Sequence, residues 1–111
     1  MNRAHSVLLH MRDDAREAIA FAAQLKSFEA FEASALHRKA IIMSIINIGE
    51  LTKRLPDEFK TEHNQIPWRK ISGMRDIAAH GYHILDDEIV WDVVQNSIPD
   101  LLAFVETYLS T

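Results

Sequence analysis

Residues 41–50 read IIMSIINIGE, in the most apolar region of the chain. On a helix, the apolar residues of this region cover two adjacent faces: Ile41, Ile45, Ile48 and Leu51 on one, and Ile42, Ile46 and Gly49 on the other. A helix that is apolar over so wide an arc must be buried on more than one side. In one chain of 111 residues, one side is expected to face the domain core. The other is expected to face a second subunit, which predicts a homodimer; a central core helix within one chain is the alternative.

The sequence gives clear limits to this central helix. Ser34 is a suitable N-cap, and Pro56 is expected to stop the helix at about Leu55. Upstream, residues 4–26 carry apolar side chains at helical spacing and predict a first long helix. Residues 27–33 are predicted to form a turn whose two phenylalanines cover one end of the core.

A third helix is predicted downstream, after one short turn at residues 56–60. It is expected to start at Trp68, because Pro67 suits a first helical turn, and to end at His80. Gly81 would then occupy the left-handed position that follows many helices.

The last helix is predicted to begin at Asp86 or Asp87, either of which can cap it, and Pro99 is expected to kink or divide it. Ile89 is assigned to its apolar face, and Met43 and Met74 of the earlier helices are assigned to the core. The short connections favour antiparallel neighbours. The predicted fold class is therefore all-α, a four- to five-helix antiparallel bundle formed by residues 1–111 as one domain.

Composition excludes several classes of protein. The chain has no cysteine, so disulfides and thiolate metal sites are ruled out. The run IIMSII at 41–46 is far shorter than the ~20 residues that span a bilayer, and the charged N-terminus lacks a signal-peptide core. These features predict a cytoplasmic protein with no membrane partner.

The charges are segregated along the chain. Residues 38–75 carry eight Lys or Arg against four Asp or Glu, whereas residues 76–111 carry seven acidic side chains and no Lys or Arg. The basic segment could form a patch that attracts a phosphate backbone. Solvated helix faces are the simpler interpretation of the same pattern.

The stretch MRDIAAHGYH at 74–83 concentrates polar chemistry at the predicted end of the third helix. Arg75 and His80 are five residues apart, or roughly 140° around a regular helix. They can converge only if the helix ends next to them. Tyr82 would then lie close to both. A helix-end cation and a surface salt bridge are the ordinary alternative for such residues.

The pattern R-D-x-x-x-H-G-Y, with its flanks, resembles the HepT-like toxin branch of the HEPN superfamily. Arg75, Asp76, His80 and Tyr82 fall on the four positions of that family's motif. The likeness extends to I-G-E at 48–50, to I-P-W-R-K-I-S-G-M before the arginine, and to the start of the last helix at 88–91. It covers essentially the whole chain and implies a HEPN-like bundle.

The resemblance implies a metal-independent endoribonuclease that acts as a homodimer, without a cofactor and with RNA rather than DNA as its substrate. It also implies a minimal nucleotidyltransferase antitoxin that transfers AMP to Tyr82. Arg75 and His80 are then the catalytic candidates. Arginine suits the phosphorane oxygens and histidine suits acid–base work. Asp76 and Glu50 are assigned supporting roles.

Two other interpretations of the same residues remain. His80 and His83, with Asp76 and Asp86 nearby, are the best candidates for a metal site, but helical spacing is not expected beyond His80 and no HExxH pattern is present. The protein could instead be a non-catalytic subunit that binds a nucleotide or substrate for the nucleotidyltransferase. The intact arginine–histidine pair favours the enzyme.

Overall fold

The computed structural model describes residues 3–81 and 86–111, and gives the backbone alone for residues 77–81. Its elements are α1 (Arg3–Ala23), α2 (Phe28–Ala33), α3 (Ala35–Arg54), α4 (Asp57–Glu62), α5 (Trp68–Gly81), α6 (Asp87–Asp92), a π-helical stretch (Val93–Ser97) and α7 (Ile98–Leu109). Within these residues the structure contains no strand, which confirms the all-α class. No helix in this part of the chain is long and apolar enough to cross a membrane.

Helix α3 is the centre of the fold and packs against α1 on one side and α5 on the other. It runs antiparallel to α1. At one end the His37 ring lies 2.7 Å from the Gln24 amide oxygen, just after α1. At the other end Val7 of α1 and Leu55 after α3 line the same groove. Helix α7 closes the core by packing against α1.

The core consists mainly of aliphatic side chains from the long helices, and its aromatic members are Phe31, Phe59 and Trp68. The largest of its fully buried members are Phe31, Leu8, Met11, Ile41, Ile48 and Leu101. Full burial of one such side chain contributes about 1.5–3 kcal/mol. This shared core, rather than helix propensity, therefore supplies most of the stability of the helices.

Two segments predicted as turns are short helices. Residues 27–33 form α2, whose first turn is capped when the Ser27 hydroxyl accepts a hydrogen bond from the Ala30 N–H. Phe31 is buried against Trp91, with ring centroids 5.1 Å apart, so its predicted role in covering the core is confirmed. Residues 57–62 form α4 because Phe59 anchors it in the core.

The helix starts were predicted better than the helix ends. The Ser34 hydroxyl accepts from the His37 N–H, and Asp86 accepts from the Glu88 N–H, so both predicted caps are confirmed. Helix α1 ends at Ala23 and α5 includes Gly81, so the predicted ends at 26 and 80 are wrong by three residues and one residue. The turn that Gly81 was predicted to begin lies outside the described residues.

The predicted division of the last helix at Pro99 is confirmed, and the structure shows its form. Proline has no N–H to donate to the carbonyl four residues earlier, and its ring crowds that carbonyl. The helix becomes wider just before Pro99, over residues 93–97. The Ile98 N–H donates to the Val93 carbonyl, five residues back, as in a π-helix.

One face of α3 stays exposed. Leu36 is 76% and Met43 is 55% exposed, and a groove of about 240 Å³ runs past Lys39, Met43 and Ile46. The assignment of Met43 to the core is therefore wrong, and Ile89, assigned to the apolar face of the last helix, is 55% exposed. Ile42 and Gly49 are buried within the chain, so the predicted second apolar face is narrower than expected.

Helices α3 and α5 approach each other most closely at Gly49. A Cβ atom at this position would overlap the Cβ of Arg75 and lie 3.1 Å from the Ile71 carbonyl oxygen. Only a residue without a side chain allows this contact. The crossing therefore fixes the position of the Arg75 Cα and Cβ atoms relative to the last turns of α3.

Replacement of Gly49 tests this close approach. Gly49→Ala should lower the free energy of unfolding by about 1–3 kcal/mol, because the added methyl forces the two helices apart. Gly73→Ala is the matched control on α5. A Cβ at Gly73 meets no atom within 4 Å, so alanine should raise stability by up to about 1 kcal/mol through helix propensity. Urea unfolding measures both changes, and a Gly49→Ala protein as stable as the wild type would contradict the crossing geometry.

Candidate functional site

The arginine of the motif is held between two helices. Its Nε atom lies 2.7 Å from Glu50 Oε2 on α3, and its NH1 group donates a 3.3 Å hydrogen bond to Asp76 Oδ1 on its own helix. Glu50 directly follows Gly49, so the same close approach brings this carboxylate to the guanidinium. The structure thus joins three residues that the sequence assigned to the site: Glu50, Arg75 and Asp76.

The contact between Arg75 and Glu50 is an ion pair and not a well-aligned hydrogen bond. Nε is buried, and despite its short distance to the carboxylate it has no hydrogen-bond partner. Of the guanidinium N–H groups, only those on NH1 donate to a described side chain. Donors therefore remain for an incoming anion, and the Arg75 side chain is 30% exposed to receive it.

Lys53 is a member of this cluster that the sequence analysis missed. Its ammonium lies 2.6 Å from Asp76 Oδ1, the same oxygen that accepts from Arg75. The signal was its position three residues after Glu50, which places both side chains on one face of α3. We call Glu50, Lys53, Arg75 and Asp76 the charged quartet. It contains two cations and two carboxylates.

The two cations of the quartet affect the protonation of Asp76. The Lys53 hydrogen bond lowers the pKa of Asp76 below its usual 3.8, with further lowering by the charge of Lys53 and by the hydrogen bond and charge of Arg75, and with slight burial opposing the shift. Because folding lowers this pKa, the contribution to stability is present above pH 3.8 and is lost as the pH falls through the folded-state pKa. Asp76 is therefore ionised at neutral pH.

These ion pairs position side chains more than they stabilise the fold. The side chains of Glu50, Lys53 and Asp76 are each between 41% and 48% exposed. Pairs with that exposure contribute little to stability. Their main effect is to limit the directions in which the Arg75 guanidinium can point.

The other two motif residues belong to the part of the chain that is only partly described. The backbone of His80 lies in the last turn of α5, but its side chain lies outside the described residues, as does Tyr82. The predicted convergence of Arg75, His80 and Tyr82 therefore stays a prediction.

A second cavity, of about 300 Å³, borders the quartet on the α1 side. Its polar lining comprises His10, Asp14, Asn47, Glu50 and Arg54. Burial, helped by the charge of Glu17, raises the pKa of Asp14, and a hydrogen bond from Asn47 opposes that shift. Glu50 therefore faces both this cavity and Arg75.

The described side chains include no group of three His, Asp or Glu residues placed to hold a metal ion. The metal site considered from the sequence depends on His80 and His83, whose side chains are outside that part of the structure. What the described site offers is a fixed, partly exposed cation with free donors. Such a group recognises the paired oxygens of a carboxylate or phosphate.

Comparison with known proteins assigns the chain to a family. The profile of the Ribonuclease HepT-like family matches residues 11–108, so the chain belongs to that family. The sequence is 35% identical over 101 residues to a protein of Thermococcus cleftensis named "Probable ribonuclease HepT", an alignment that covers 91% of this chain and 92% of the relative. It is 39% identical over 75 residues to a "Putative RNase" of Caldanaerobacter subterraneus subsp. tengcongensis, covering 68% and 67% of the two chains. No solved structure matches the sequence.

The family assignment confirms the resemblance to HepT-like proteins that the motif indicated. Ribonucleases cleave the phosphodiester bonds of RNA, so the family assignment supports ribonuclease activity for the chain. The nucleotidyltransferase partner, the dimer and the modification of Tyr82 are not part of what these comparisons show.

Proposed function

We propose that this chain is a metal-independent endoribonuclease that functions as one helical domain in a homodimer. The observation that carries the proposal is Arg75, held by Glu50 and Asp76 at the α3–α5 crossing of a HepT-like chain. A cation fixed before the substrate arrives is suited to stabilise negative charge that develops during the reaction.

The proposed reaction uses the 2′-hydroxyl of the RNA as its nucleophile. A histidine accepts the proton of that hydroxyl while the oxygen attacks the adjacent phosphorus. A second histidine donates a proton to the departing 5′-oxygen. The products are a 2′,3′-cyclic phosphate and a 5′-hydroxyl, so no water is consumed.

Each residue has a defined role in this scheme. Arg75 stabilises the phosphorane oxygens, and His80 supplies the acid or base, a role that suits histidine because an unperturbed imidazole changes charge near neutral pH. Glu50 and Asp76 position Arg75. One chain offers one motif histidine, so a symmetric dimer supplies the two that the reaction needs.

The exposed face of α3 is the surface we assign to dimerisation. Leu36, Met43 and Ile46 lie on one side of the helix, around the apolar groove. A two-fold axis would place the same residues of two chains against each other. Ile41 and Ile45 are buried in the core of their own chain and do not line this groove, whereas Ile42, although 3% exposed, lies at its floor.

We further propose that the protein is the toxin of a toxin–antitoxin pair in the cytoplasm. Its partner is a minimal nucleotidyltransferase, which joins the Tyr82 hydroxyl to the α-phosphorus of ATP and releases pyrophosphate. The attached AMP carries a phosphodiester. Tyr82 is close enough to Arg75 in the sequence for that group to reach the guanidinium. Its negative charge would compete there with the RNA phosphate.

The first test is cleavage of RNA in EDTA. The wild-type protein, free of its partner, should cut RNA and leave 2′,3′-cyclic phosphate ends. His80→Ala should lower the rate at least 100-fold, because general acid–base catalysis contributes that much, with helicity and oligomeric state unchanged. His63→Ala is the matched control, since that ring packs among aromatic side chains away from the motif. Cleavage that requires added metal, or full activity of His80→Ala, would rule out the proposed chemistry.

A charge on the exposed face of α3 tests the dimer. Met43→Glu should convert dimers to monomers in sedimentation experiments and remove nuclease activity, since a carboxylate buried at an interface is unpaired and desolvated. Thr61→Glu adds the same charge to an exposed position on α4 and should change neither property. A monomeric wild-type protein that still cleaves RNA would contradict the shared cleft.

The covalent step is tested by intact-mass spectrometry. Incubation with the nucleotidyltransferase and ATP should add AMP to the wild-type protein and none to Tyr82→Phe. The variant should keep much of its RNase activity because it lacks only the hydroxyl. AMP on another residue, or loss of activity without any added mass, would show that Tyr82 is not the point of control.

A further inference from the structure

A large open groove lies beside the charged quartet and is not used by the proposed reaction. It occupies about 820 Å³ between the start of α1 and the connection from α3 to α4. Its lining includes three basic residues and one acidic residue: Arg3, Lys53, Arg54 and Asp57. We call it the basic groove.

The basic groove collects positive charge in a protein whose formal net charge is −4. Among the described residues, Arg3 and Arg54 have no acidic partner, while Asp57 lies 3.7 Å from Lys60. Lys53 and Arg54 lie in the last turn of α3, where the helix dipole favours cations. The dipole of α3 does not explain Arg3, which comes from a different helix. Lys53 is paired with Asp76, and an anionic ligand would account for Arg3 and Arg54.

The groove is continuous with the quartet through one residue. Lys53 lines the groove, and its ammonium reaches Asp76, which also accepts from Arg75. A polymer whose phosphate lies at Arg75 would therefore pass its neighbouring phosphates towards Arg54 and Arg3. A small anion would not need a groove of this size.

We propose that the basic groove binds the phosphates of the RNA strand to one side of the scissile phosphate, through Arg3 and Arg54. The proposal rests on the ribonuclease function proposed above and extends it to substrate binding. Because the groove presents cations rather than a base-shaped pocket, this binding is independent of sequence. It makes the protein prefer RNA of several nucleotides over a dinucleotide.

Counterion release gives the proposal a quantitative signature. Each phosphate contact on a single strand contributes about 0.7 to the slope of log affinity against log salt concentration. Loss of the contacts made by Arg3 and Arg54 should therefore reduce the magnitude of that slope by about 1.4. A role of these arginines in folding alone would leave the slope unchanged.

The experiment measures binding of a 12-nucleotide single-stranded RNA from low to physiological salt, using full-length protein with His80→Ala to prevent cleavage. Arg3→Gln with Arg54→Gln is compared with Arg69→Gln and Lys70→Gln, which removes two exposed cations from the start of α5. Weaker binding and a smaller slope for the groove pair alone supports the proposal. An unchanged slope, or an equal change in both pairs, overturns it.

The same data distinguish a failure of the proposed ribonuclease function from a failure of the basic-groove proposal. If the wild-type protein does not cleave RNA and the His80→Ala protein does not bind it at low salt, the proposed function fails. If both events occur and the groove variants bind with the full slope, the ribonuclease stands and the basic groove is not its substrate path. Circular dichroism of each variant confirms that the helices are intact.

Discussion

The structure depends on the close approach of α3 and α5 at Gly49. Helices with side chains at their contact normally lie 8–10 Å apart, and the missing Cβ at Gly49 lets the backbone of Arg75 lie against α3. The next residue of α3, Glu50, then reaches the guanidinium of Arg75, and Lys53 one turn later reaches Asp76. The close packing of α3 against α5 and the formation of the charged quartet thus both depend on Gly49. The glycine is needed for the position of the arginine more than for the course of α3.

The charged quartet contributes little to the stability of the fold, and its main effect is to position side chains. Exposed ion pairs contribute little to stability, whereas the buried isoleucines of α3 hold it between α1 and α5. The core therefore fixes the helices, and the helices fix the charges. Lys53 and Arg75 lower the pKa of Asp76, so this partner of Arg75 is negative at neutral pH. A phosphate that enters must compete with these carboxylates, so binding is expected to be selective for anions that offer several oxygens to the remaining N–H groups.

Much of the fold could be predicted from the sequence because its signals are local. Caps such as Ser34, the proline at 99 and the helical spacing of apolar residues each depend on a few neighbouring positions. The errors arose where tertiary packing decided the outcome. Phe31 and Phe59 converted predicted turns into short helices by entering the core, and Met43 is exposed although its chemistry suits burial. Arg75 and Asp76 were identified by their motif, but Lys53 was not, because its partner is 23 residues away in the sequence.

The central claim is that Arg75, in the orientation that Glu50 and Asp76 impose, stabilises the charge of the transition state. The most direct measurement is single-turnover cleavage of a short RNA in EDTA by Arg75→Lys, which keeps the positive charge but loses the planar fork. The account predicts a rate about 100-fold or more below that of the wild type, with RNA affinity nearly unchanged. A variant that cleaves at the wild-type rate would show that Arg75 supplies charge alone and that its orientation by α3 has no role in catalysis.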